Sequence, residues 1–259
     1  MRMRIRSRLT GLFAVSALSL ALTACGKTTN PSPAPAGATT TTVTEAPPAD
    51  PKEELGAAAR RLNETSLKMT LESPGSTSTG SLDPKAKLGE MTMKLDAGGR
   101  SAEVQVRTIG TDGYVLAKGV PGVPGGKWMR ISLDRLAGST FDLFPENDPV
   151  GVGRLLGALS DVKKDGPGTF SATIDLTKTA TNKKEADRMG DAYMALPFSA
   201  TVDGHGRLAT TTIDLSTAAD GGGKNTARYF DFGSPVSIEP PPANQTVPAP
   251  ETVVKLLTG

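Results

Sequence analysis

The chain has 259 residues, 29 basic and 27 acidic side chains, one His and one Cys. A single thiol excludes an intramolecular disulfide framework and, with a single imidazole, a Cys/His zinc site. A formal net charge of +2 with 4% aromatic residues argues against a dedicated nucleic-acid binder, which carries a basic footprint and stacking rings.

Arg2, Arg4, Arg6 and Arg8 precede an uncharged apolar run from Leu9 to Ala24. That run is short for a membrane span and ends in small residues, so residues 1–24 are predicted to be a secretory signal peptide. The arginines stand singly, which points to the general secretory route rather than twin-arginine export. Leu22-Thr23-Ala24-Cys25 has the form of a bacterial lipobox. The Cys25 thiol would take a diacylglyceryl group, and small Thr23 and Ala24 would admit the peptidase. Cys25 is therefore the expected lipidation site, holding the protein on the outer face of the plasma membrane. Without residues 1–24 the chain keeps 25 basic and 27 acidic side chains, so the apparent basic balance belongs to the export signal.

Residues 25–50 are expected to be a tether. Their Pro, Thr and Ala content, including Pro31-Ser32-Pro33-Ala34-Pro35 and Thr39 to Thr42, cannot bury enough apolar surface to offset ordering entropy. Fully stretched, the tether reaches at most ~80 Å. A single domain is predicted over 51–259. Asp50-Pro51-Lys52-Glu53 supplies a capping Asp, Pro at the first helical position and Glu three residues after the cap. Leu55, Ala58, Ala59 and Leu62 then repeat at helical spacing.

The period next falls to two. Leu67, Met69 and Leu71, then Met91, Met93 and Leu95, then Val104 and Val106 alternate with polar residues, as half-buried antiparallel strands do. Further strands are expected over 114–118, 127–132, 169–176, 198–203, 207–215, 228–232 and 236–238, with a hairpin turn at Asp203-Gly204-His205-Gly206. Asp148-Pro149 is predicted to cap a helix whose Val152, Leu155, Leu156 and Leu159 share one face. Asn182-Lys183-Lys184-Glu185 opens another, ending near Met194. About ten strands with a few helices define an α+β fold with one large curved antiparallel sheet.

Several segments in this order carry a family likeness. The lipobox and linker, Lys127-Trp128-Met129-Arg130-Ile131, Asp148-Pro149-Val150-Gly151, Pro197-Phe198-Ser199-Ala200-Thr201-Val202-Asp203 and Phe232-Gly233-Ser234-Pro235-Val236 resemble the LppX/LprAFG family of actinobacterial lipoproteins. The resemblance spans roughly residues 51–242. It implies a LolA-like half-barrel wrapped over helices, with an apolar cavity that carries or presents a lipid or lipoglycan. The cavity candidates are Met69, Leu71, Met91, Met93, Leu95, Val104, Val106, Leu155, Leu156 and Leu159. Methionine is flexible and polarizable, which suits a site that adapts to acyl chains, although the same residues also serve as ordinary core filler.

No catalytic residue, metal ligand or cofactor is expected. His205 is the sole imidazole and sits between glycines at a hairpin tip, a setting unlike a triad. Gly151-Val152-Gly153-Arg154-Leu155-Leu156-Gly157 misplaces the third glycine of a dinucleotide loop. Lys163-Lys164 and Lys183-Lys184 read as solvated surface. The expected partners are the membrane, through acylated Cys25, and one lipid or lipoglycan ligand, with no nucleic acid, and the protein is expected to be a monomer. The alternative reading is an envelope lipoprotein that uses the sheet as a protein-binding or sensory scaffold without a cavity.

Overall fold

A computed structural model describes residues 50–258, apart from 124, 138, 140, 145–147, 149–150, 181–182 and 219–221. The predicted signal peptide, Cys25 and the tether up to residue 49 lie outside the described residues. The fold opens with the helix Pro51–Arg60 (α1). The Asp50 carboxylate accepts a 2.7 Å bond from the Lys52 N–H, which satisfies one of the orphan donors of the first turn. Leu55, Ala58 and Ala59 are buried, and so is Leu62 in the 3-10 turn that follows.

Five hairpin-linked strands follow: Leu67–Ser73 (β1), Ser76–Asp83 (β2), Leu88–Ala97 (β3), Arg100–Ile109 (β4) and Asp112–Lys118 (β5). Trp128–Ser132 (β6) extends this meander, and the short helix Leu133–Leu136 (α2) follows directly. The chain then crosses to the opposite edge through the helix Val152–Gly157 (α3). A second meander runs back as Leu159–Gly166 (β7), Thr169–Ile174 (β8), Leu196–Val202 (β9), Leu208–Asp214 (β10) and Lys224–Phe230 (β11), with the helix Lys183–Met189 (α4) between β8 and β9. β11 pairs with β1 and fuses the two meanders. Thr246–Pro248 (β12) adds to β6 as the sole parallel pair among the described residues, and Glu251–Thr258 (α5) ends the described chain. The result is one open, curved 12-stranded sheet in the order β12-β6-β5-β4-β3-β2-β1-β11-β10-β9-β8-β7. It is an α+β half-barrel, with α1 packed on α3, β7 and β10, and α2 on α5, β5 and β6.

Differences from the sequence expectation have local causes. Leu159 is the first residue of β7, opposite Ile174, and not the last of the helical stripe. The helix stops at Gly157, and the Asp175 N–H bonds to the Ala158 carbonyl as the strands begin to pair. Asp148 nevertheless caps α3, its two oxygens accepting from the Gly153 and Arg154 N–H groups at 2.8 and 2.9 Å. Residues 236–238 form no strand: Pro235 and Pro240 to Pro242 lack the N–H a ladder needs, and the segment lies as a strap with Ile238 buried. The last predicted strand of the second meander starts at Lys224 and ends at Phe230, where Asp231 turns at φ 52°. The strand expected over 169–176 ends at Ile174 because Asp175 caps a 3-10 turn.

The Asp203 hairpin joins β9 and β10 as expected. Burial would raise the Asp203 carboxyl, but bonds from the Arg207 N–H and guanidinium and the His205 N–H hold it below the usual carboxylate value. His205 is exposed. Arg61 reaches from the N-terminal 3-10 turn to donate to the Gly206 carbonyl at 2.7 Å. A Cβ at Gly206, where φ is 74°, would collide with that guanidinium.

Candidate functional site

Strand pairing ranks the inner, helix-covered face into cross-strand rows. One row runs Leu67, Leu82, Gly89, Thr108, Gly113, Ile131 from β1 to β6, and all six are buried. The chain returning from β6 forms the roof over this row. Leu136 Cδ1 lies 2.9 Å from where a Cβ on Gly113 would stand, and the Phe144 ring lies equally close to a Cβ on Gly89. A Cβ at either glycine would press on these side chains, which makes this end of the interior tight.

The next two rows differ. Tyr229, Met69, Gly80, Met91, Val106, Val115 and Met129 form one, and Ala227, Leu71, Ser78, Met93, Val104 and Ala117 the other. On β4 to β6 these residues are buried, as are Tyr229 and Ala227 on β11. Between those two walls Met69, Leu71, Met91 and Met93 are only half-buried, and so is Leu95 one step nearer the hairpin end. The floor between them is β2, whose inward residues Ser76, Ser78 and Gly80 are small. Met69 leans over Gly80, its Cγ 3.5 Å from where a Cβ would stand. The inner face is thus a filled core at both flanks and a shallow trough over β1 to β3.

The structure brings Met69, Leu71, Met91, Met93, Leu95, Val104 and Val106 onto one face of adjacent strands. Val104 and Val106 are buried wall residues. Leu155 is half-buried and Leu156 buried on α3, which packs against α1. Leu159 is buried at the β7 edge, its carbonyl accepting from Lys52 Nζ at 2.9 Å, and lies far along the sheet from β1 to β3. Sequence reasoning missed the small floor on β2 and the Leu136 and Phe144 roof. Ser-Thr alternation around Gly80 was the one available trace of the floor.

Ser78, Thr108 and Thr211 are buried polar residues of this face. Burial pushes the Tyr229 hydroxyl up to about 12, against a hydrogen bond with Thr211, while the Asp148 carboxylate pushes it in the same direction as burial. Because the folded value lies above the unfolded one, stability is complete below pH 10 and lost as pH rises towards 12. Urea unfolding of wild type should therefore lose about 2 kcal/mol across that interval beyond what Tyr229→Phe loses. Equal losses in the two proteins would show that Tyr229 is not the group responsible. Lys164, one of the basic pair read as surface, is bound to Glu54 of α1 at 2.8 Å; the Lys183 and Lys184 side chains lie outside the described residues.

Among the described residues no cluster of His, Cys, Asp and Glu is arranged to hold a metal ion, and no helix is long and apolar enough to cross a membrane. Fold and inner face together define an α+β protein built on a single curved sheet, with a methionine-bearing trough on its helix-covered side. No protein-family model matches the chain, and the comparison with curated proteins finds no match.

Proposed function

We propose that the protein is a membrane-anchored extracytoplasmic lipoprotein that carries or presents a lipid or lipoglycan, with its hydrocarbon held in the trough over β1 to β3. The reading rests on one observation: half-buried Met69, Leu71, Met91, Met93 and Leu95 line a small-residue floor between two buried walls. An acyl chain laid there would be shielded from water at about 0.8 kcal/mol per buried methylene. No covalent step is required, because sequestration alone lowers the cost of moving hydrocarbon through water. The lipobox at Cys25 and the resemblance to the LppX/LprAFG lipoproteins support the same reading from the sequence side.

Met93→Trp tests it. Met93 is half-buried and lies outside the group of side chains packed on the core, so an indole there should occupy the trough without crowding. Native mass spectrometry of wild type purified from host membranes should show copurifying lipid. The variant should retain less by ~10-fold or more, with its urea midpoint unchanged. A filled core would instead give overpacking, a loss of about 1–3 kcal/mol, and no lipid on either protein. That result would replace the carrier with the protein-binding scaffold.

A further inference from the structure

The opposite, outer face of the same strands carries a groove of about 290 Å³, and its lining has a different chemistry. Thr70, Thr79, Thr92 and Gln105 stand side by side on β1 to β4, a rank of hydroxyls and one amide spanning ~14 Å at the usual strand spacing. Next to them run Lys68, Ser81, Glu90 and Arg107. The charges there are already matched: Lys68 pairs with Asp231 at 2.9 Å and Arg107 with Glu90 at 3.9 Å. Arg107 also donates to the Glu239 carbonyl and stacks 4.8 Å over the Trp128 ring, which fixes its guanidinium. Phe230 bounds the groove on β11, opposite Lys68, and is 39% exposed. Past Ser81 the depression continues into a recess of about 160 Å³ beside Ser234 and Ser237 of the strap.

We propose that this groove binds an uncharged, polyhydroxylated chain: a linear stretch of neutral polysaccharide. Serine and threonine hydroxyls both donate and accept, as sugar hydroxyls do, so a rank of them matches a glycan whichever way each hydroxyl points. Phe230 offers the exposed ring on which the apolar face of a pyranose can lie. Other ligand classes fit less well. An acyl chain would meet hydroxyls and paired charges in place of a continuous apolar wall. An anionic ligand would have to break the Lys68 and Arg107 pairs. An extended peptide adds to a free sheet edge, and this groove lies on a face, between strands already paired on both sides. Arg228, exposed and paired with Thr70, lies outside the groove lining. The inference stands apart from the inner trough and holds whether or not that trough takes a lipid.

The test uses the full chain in a detergent without a sugar headgroup. Cellohexaose, mannohexaose and maltohexaose are the probes and a heparin hexasaccharide the anionic control. Trp128 is the only tryptophan and lines the groove, so its emission reports occupancy. At least one neutral hexasaccharide should bind with Kd near or below ~1 mM and shift that emission, and heparin should bind more weakly. Phe230→Ala should weaken the interaction by ~10-fold or more, the equivalent of one stacking contact. Thr79→Val with Thr92→Val, isosteric and favourable in strands, should do the same with no loss of fold. Three results would each overturn the proposal: no neutral probe binding, heparin binding more tightly, or unchanged affinity in both variants when their urea midpoints match wild type.

Discussion

Cys25→Ser, expressed behind an ordinary cleavable export signal, is expected to leave the membrane fraction and appear in the soluble fraction, a shift in partition of more than ~100-fold. The substitution removes only the sulfur that would carry the diacylglyceryl group. Two or more chains on one residue give stable anchoring where a single chain is marginal, since each buried methylene contributes about 0.8 kcal/mol. The ordinary export signal matters because an uncut Leu9 to Ala24 run would itself hold the chain at the membrane. Among the described residues no helix offers a membrane span to take over that role. Fractionation with and without high salt would separate anchoring from charge attraction. A variant that stayed with the membrane under both conditions would defeat the lipid-anchor proposal.

An anchor at Cys25 would precede α1, the first element of the fold. Its first turn is held by the Asp50 cap, by Lys52 on the Leu159 carbonyl and by Glu54 on Lys164. Its apolar stripe packs on the half of the sheet built from β7 to β11. α1 is thus packed mainly against that half, while the trough lies over β1 to β3. On the proposed function, tethering and ligand loading would fall to different parts of one sheet.

What could be read from the sequence depended on how each strand is buried. Leu67, Met69 and Leu71 alternate cleanly because one face of β1 is covered and the other wet. β2 carries the floor of the trough, and Ser76, Ser78 and Gly80 leave no apolar alternation to detect. β7 is an edge strand: Asp161, Lys163, Lys164 and Asp165 give it charge and two register shifts, features that guard an edge against pairing and also hide it from a pattern search. Leu159 kept helical spacing with Val152, Leu155 and Leu156, and only pairing with Ile174, fifteen residues on, assigns it to a strand. The roof was beyond reach for the same reason. Phe144 on Gly89 and Leu136 on Gly113 are long-range contacts, which no local period encodes. The apolar members of the trough were legible, while its shape was not, because shape follows from small residues and distant neighbours.

Phe170→Ala carries the largest expected loss of stability, and its counterpart Phe230→Ala carries one of the smallest. The two substitutions delete the same atoms from opposite faces of one sheet. Phe170 is fully buried on β8, paired with Ala200, with the Lys164 ammonium 5.9 Å from its ring. Neighbouring Ala172 and Ala200 are too small to fill the space it would vacate, and α1, tied to Lys164 through Glu54, covers this part of the sheet. A cavity should therefore persist, at a cost of about 3–5 kcal/mol. On the outer face Phe230 already meets solvent, so its removal costs at most about 1 kcal/mol of strand preference. Urea unfolding should separate the two midpoints widely. Similar midpoints would mean that the sheet is not one-sided, and would undermine both the inner trough and the outer groove. A wide separation makes Phe230→Ala a probe of glycan binding that leaves the fold intact, and it places the stability of the α1-bearing half of the sheet in Phe170 and its neighbours.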